Sequence, residues 1–163
     1  MAQTIASLSK FRLEYRINRF QETHMLIQAL ALVSTVLLLI SLGFSVLGTT
    51  PLLVLKHNLP MDSRVVRQVF HYCYRLIAVV AIAASIGQAL AGRPMLAVGT
   101  GCIAILAVVL HSWMLTRMDA LRGTMHDGDM NAIRRFRELH VAGIVLNCTQ
   151  LAVFVWVMTQ VKL

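Results

Sequence analysis

MLIQALALVSTVLLLISLGFSVLG, residues 25–48, contains no Asp, Glu, Lys or Arg, and the uncharged run around it reaches from Glu22 to Lys56. A charged side chain near mid-bilayer costs about 2.5 to 3.5 kcal/mol on insertion scales, and about 20 apolar residues span the hydrocarbon. A run of this length and composition reads as a membrane-spanning helix. Three more charge-free runs follow, from Arg75 to Arg93, from Arg93 to Arg117 and from Glu138 to Lys162. The expected helices are 25–48, 69–91, 95–116 and 138–160, and the expected fold is all-α, an integral membrane four-helix bundle. The run after Arg75 is the shortest, so the second helix is expected to begin before that arginine, with Asp62 and Ser63 as candidate N-caps behind Pro60.

Composition agrees. Hydrophobic residues make up 58% of the chain and charged residues 13%, and mean hydropathy is +0.72, all far from an ordinary soluble domain. The organisation expected is a basic N-terminal segment, 1–24, read either as interfacial or as a solvated tail, followed by one transmembrane domain, 25–163. The first apolar run is too long for the apolar region of a cleaved signal, so it is read as an uncleaved anchor. Cys73, Cys102 and Cys148 all fall in predicted helices, which suggests small buried hydrophobes rather than a disulfide framework.

The net charge is +8. In a membrane chain such an excess points to the bilayer and its anionic lipid headgroups, not to nucleic acid, for which there is no motif. Four spans put both termini on one side, called A, and the loops after the first and third helices on the other, called B. Side A carries Lys10, Arg12, Arg16, Arg19, Arg93 and Lys162, and side B carries Lys56, Arg64, Arg67, Arg75, Arg117, Arg122, Arg134, Arg135 and Arg137. That distribution favours a cytoplasmic side B, whereas the basic segment ahead of the first helix favours the reverse, so the orientation stays open.

Topology sorts the polar residues by depth. His71, Arg75, His111 and His140 all approach from the side B ends of three helices, and only His24 lies at side A. Arg67, His71, Arg75 and Ala78 recur on one face of the second helix, Thr100, Ala104, Ala107 and His111 on one face of the third, and His140 and Asn147 share a face of the fourth around Gly143. These faces predict a polar pocket open to side B, lined by His71, Arg75, His111, His140 and Asn147. Ionisable groups at membrane depth are expensive enough to suggest function. The structural alternatives are snorkelling of Arg75, His71 and His140 to the interface, an interhelical hydrogen bond at His111, and Asn147 as a link between helices. Haem, copper or a quinone could be held by such imidazoles and arginines, but no HxxxH, HExxH or CxxC spacing supports a metal.

Asp127, Asp129, Asn131 and Glu138 imitate a calcium loop, but its glycine position holds Ala132 and three arginines intervene. A turn at Asp127 and Gly128 followed by an Asp129 N-cap is the better reading.

His24, Pro51, Leu59-Pro60, Arg64, Val69-Phe70 with Tyr74, and Phe136, Leu139, His140, Leu146 and Asn147 resemble a four-span family of unknown function that includes animal transmembrane protein 205. The first helix here lacks the Trp and paired glycines that follow the histidine in that family. Gly43, Phe44, Ser45, Pro51, Leu59 and Pro60 are in turn similar to a pattern of the anthrone oxygenase-like membrane proteins, which implies oxygenation of a polycyclic phenol. Three function classes therefore stand. One is a non-catalytic accessory, assembly or lipid-interacting subunit with a membrane-protein partner or as a homo-oligomer. The others are a membrane oxidoreductase or oxygenase using the His/Arg pocket, and a carrier of a lipophilic or anionic solute. Trp113, Phe154 and Trp156 are candidate lipid or partner contacts.

Overall fold

A computed structural model describes the backbone of residues 2–54, 60–125 and 129–160, and the side chains within them except at 2–11, 13, 53, 54, 60–62, 123–125 and 160. Four helices are present: α1 (Ala2–Thr49), α2 (Pro60–Leu90), α3 (Pro94–Met125) and α4 (Met130–Gln160), with a short 3₁₀ turn, Pro51–Val54, after α1. Each is long and apolar enough to cross a membrane. The fold is an all-α bundle and the protein an integral, multi-pass membrane protein.

All four helices outrun the spans expected from hydropathy. Hydropathy reports the slab of hydrocarbon, whereas a helix continues through the interface for as long as backbone and caps allow. Thus α2 begins at Pro60 rather than 69, and α3 continues to Met125 rather than 116. Proline is tolerated in a first turn, where its missing N–H had no partner to lose; Pro60 and Pro94 both occupy that position. Asp62 and Ser63 therefore lie inside the first turn of α2 and are not its caps. At α4, Asp129 does cap: its Oδ1 accepts the Asn131 N–H at 2.8 Å. The expected turn at Asp127 and Gly128 lies outside the described residues.

The largest difference is α1. Residues 1–24 and the first span were expected as separate segments, but the helix runs unbroken for 48 residues, about 72 Å at 1.5 Å per residue. Every described side chain from Arg12 to Leu26 is exposed.

Helices α2 and α3 meet through a tight turn. The Arg93 N–H reaches the Gln88 carbonyl at 2.9 Å and the Gly92 N–H reaches Ala89 at 3.1 Å, the paired bonds of a Schellman ending. Gly92 supplies the left-handed residue this needs, with φ +75°.

The helices alternate in direction and form a ring, α1–α2–α3–α4–α1, with α2 packed most extensively on α3 and then on α1. Small residues make that close approach possible. Ala78, Ala81 and Ala84 of α2 and Ala104 and Ala107 of α3 are buried, and a Cβ placed on Gly87 would stand 3.2 Å from the Ala31 Cα. The rest of the core is Leu38 and Leu42 from α1, Val66, Phe70, Tyr74 and Ile77 from α2, Leu110, Met114, Leu115 and Met118 from α3, and Phe136, Ile144 and Phe154 from α4.

Polarity is inverted relative to a soluble protein. Thr35, Ser41, Ser45, Gln88, Thr100, His140, Asn147 and Gln150 are buried, while Leu30, Val36, Ile40, Phe44, Val79, Ile86, Ile105, Val109, Val153 and Trp156 face outward. An apolar belt of this extent is stable only against lipid or protein. Two expectations are corrected by burial: Phe154 is interior, leaving Trp113 and Trp156 as outward contacts, and Cys102 and Cys148 are exposed, with only Cys73 buried.

Candidate functional site

The polar residues expected in one pocket form two groups. The first lies between α2 and α3, where the Arg67, His71, Arg75 face of α2 meets α3. Arg67 grips the Asp119 carboxylate with both Nε and Nη2, the latter 2.7 Å from Oδ2. Arg122 stands nearby, with Nη1 3.7 Å from Oδ1. Two-point contact between a planar guanidinium and a carboxylate fixes rotation as well as distance, so it sets the register of α2 against α3.

One turn further along α2, His71 joins His111. Nδ1 of His71 is 3.1 Å from Nε2 of His111, and the ring centroids are 5.0 Å apart. On the other edge of His71, Arg75 Nη1 lies 3.4 Å from Nε2. A guanidinium can only donate, so the Nε2 atom facing Arg75 accepts. With Nε2 accepting from Arg75, the proton of the His71 ring is on Nδ1, aimed at Nε2 of His111. The result is a directed chain, Arg75 to His71 to His111. Both histidines are partly exposed and Arg75 is exposed.

The second group joins α1 to α4 and is buried. His140 Nε2 donates to the backbone carbonyl of Thr49 at 3.2 Å. Thr49 ends α1, so this carbonyl is one of those that a helix terminus leaves without an intrahelical partner; a side chain of α4 completes α1. The His140 ring also stands edge-on to Phe70, centroids 5.4 Å apart. Asn147 Nδ2 donates to the Ser45 hydroxyl at 2.8 Å. Ser45 and Thr49 are one turn apart on α1, as His140 and Asn147 are two turns apart on α4, so the bonds form a short ladder.

Thus His71, Arg75 and His111 come together, and His140 and Asn147 sit with Ser45 and Thr49. Phe70, the neighbour of His71, is what His140 touches; its ring turns to the interior while His71 turns towards α3. A depression beside Arg75 is lined by Ser41, Phe44, Tyr72, Cys73, Leu76 and Val79 and includes none of the histidines.

Two residues of these groups were not singled out by sequence. Asp119 is the lone acid between Asp62 and Asp127, a signal that was available. Thr49 acts through its backbone, and no sequence pattern announces that.

Among the described residues, no three His, Cys, Asp or Glu side chains gather as a metal site. No family model, curated protein or solved structure matches the chain.

Proposed function

We propose that this protein is a non-catalytic assembly subunit, a membrane bundle that holds another membrane component through the free stretch of α1. The carrying observation is that every described side chain from Arg12 to Leu26 is exposed although the backbone is helical. Helices in proteins draw most of their stability from tertiary packing of an apolar face. Among the described residues the stretch has no such packing, and Ile17, Phe20 and Met25 stand exposed on it.

Arg12, Arg16 and Arg19, spaced by four and three, share one side of the helix, next to the face of Ile17, Phe20 and His24. Arg19 lies over the Tyr15 ring at 5.4 Å. A basic stripe beside an apolar one suits an acidic, amphipathic surface on a partner. Support also comes from the ionisable residues of the bundle, which tie helix to helix. The likeness to the four-span family agrees with such a bundle and adds no activity.

The test is purification of the full chain from its native membrane in lipid-preserving conditions, beside a variant with Arg12, Arg16 and Arg19 changed to Glu and Phe20 to Ser. A stoichiometric partner retained by the first and lost by the second, with the bundle still folded, is the expected result. A partner held equally by both, or none held by the parent, overturns the proposal.

A second reading, an oxidoreductase or oxygenase, is favoured by one observation, the hydrogen-bonded His71 and His111 pair beside Arg75. Its signature is an absorbance band or bound metal in the purified protein that disappears in His111→Ala while folding is retained.

A further inference from the structure

Helices α3 and α4 are close at one end and apart at the other. Near side B, Gly143 brings them together: a Cβ there would lie 2.5 Å from Met114 Cε and 2.7 Å from Phe70 Cε1. Towards side A they part around a groove of about 340 Å³, lined by residues including Leu96, Ile103 and Leu106 of α3 and Leu146, Val153 and Val157 of α4. That is within the range of small-molecule sites, about 300 to 1,000 Å³.

One lining residue does not suit the rest. Gln150 is 7% exposed, and neither its Nε2 nor its Oε1 has a hydrogen-bond partner. Buried amides are nearly always satisfied, and one that is not calls for an explanation. The other groove hydroxyls are occupied: Thr100 donates to the Leu96 carbonyl at 2.8 Å and Thr149 to Val145 at 2.9 Å. Gln150 is 12 residues beyond Glu138, about 18 Å along the axis, and so lies deep in the bilayer, where water does not compete.

We propose that this groove binds a single-chain lipophile whose uncharged head presents a donor and an acceptor side by side, as a protonated fatty acid or a primary fatty amide does. The Gln150 Nε2–H donates to the carbonyl oxygen of the head, and the O–H or N–H of the head donates back to Oε1. Both orphan atoms are satisfied by one ligand, and the chain lies along the apolar walls. The head is uncharged because the lining holds no charged residue, and an ionised carboxylate there would have no counter-ion. A second copy of this chain fits less well. Two-fold pairing would set groove against groove and enlarge the space between them.

The groove is apart from the free stretch of α1, so its occupancy is measured separately from partner capture. Full-length protein in phosphatidylcholine vesicles is irradiated with diazirine-bearing hexadecanamide, hexadecanoic acid or hexadecane, and labelled residues are mapped by mass spectrometry. Labelling by the amide, the acid or both within 96–106 and 146–157 is expected, and which head labels names the natural chemistry. Gln150→Leu should lower that labelling about tenfold, the scale of one lost hydrogen-bonded head. Gly99→Leu should also block it. Gly99 lines the groove and a Cβ there meets nothing within 4 Å, so this variant keeps the test informative should Gln150→Leu fold poorly. Hexadecane labelling as strongly as the headed probes, labelling indifferent to both substitutions, or a Gln150→Cys disulfide between two copies each overturns the assignment.

Discussion

The two polar connections of the bundle do the same mechanical task with opposite chemistry. Between α1 and α4, His140 with Thr49 and Asn147 with Ser45 are fully buried and involve no guanidinium or carboxylate. Between α2 and α3, Arg67 pairs with Asp119 as charges, and His71, with Arg75 beside it on α2, meets His111, all of them partly or fully exposed. Burying a charge costs far more than burying a hydrogen-bonded neutral group, so depth selects the chemistry. Charge is kept where headgroups or water can reach it, and the interior link uses an imidazole and an amide.

That contrast can be broken at either connection. His140→Ala should have the largest effect, about 2 to 4 kcal/mol in unfolding measured in lipid nanodiscs, since it leaves a cavity beside Phe70 and removes the donor to the end of α1. Gly143→Ala follows at about 1 to 3 kcal/mol, because the buried Phe70 ring must shift to admit the methyl group. His111→Ala should cost about 1 kcal/mol, a partly exposed hydrogen bond; a loss as large as that of His140 would erase the distinction.

Asp119→Asn should be smallest, about 0.2 to 1 kcal/mol, and should shrink further as salt is raised from low to high concentration. The His140→Ala loss should be insensitive to salt. A double-mutant cycle on Arg67 and Asp119 sharpens this test, because a coupling that persists at high salt would place the pair out of reach of solvent.

The four spans were legible because lipid imposes one rule on every residue that faces it, so Arg75, Arg93, Arg117 and Glu138 mark the windows without reference to packing. The ends were not: Pro60 reads as a breaker yet sits where a helix accepts it, and nothing in residues 116–125 says that α3 continues beyond the hydrocarbon. Periodicity put Arg67, His71 and Arg75 on one face, and His140 with Asn147 on another, and the structure keeps both groupings. The two groups take their hydrogen-bond partners from different helices for a geometric reason. Spacing tells which residues share a side of a helix, but not which neighbour that side meets. The same ignorance left Phe154 outside and Gln150 unnoticed, since a side chain's burial is decided by the splay of two helices and not by its own neighbours in sequence.

The Schellman turn at Gly92 has a consequence for biogenesis. Of the four spans, that in α2 is the least hydropathic and would partition into lipid least readily alone. Only Ala91, Gly92 and Arg93 separate it from α3. The connection is too short for α2 to wait in water while α3 enters, so the pair must leave the translocation machinery as a preformed hairpin, the stronger segment carrying the weaker. Lengthening the turn by a flexible Gly/Ser insert should therefore lower the yield of correctly inserted chains even if the finished bundle tolerates the insert, a defect of delivery with no counterpart in stability.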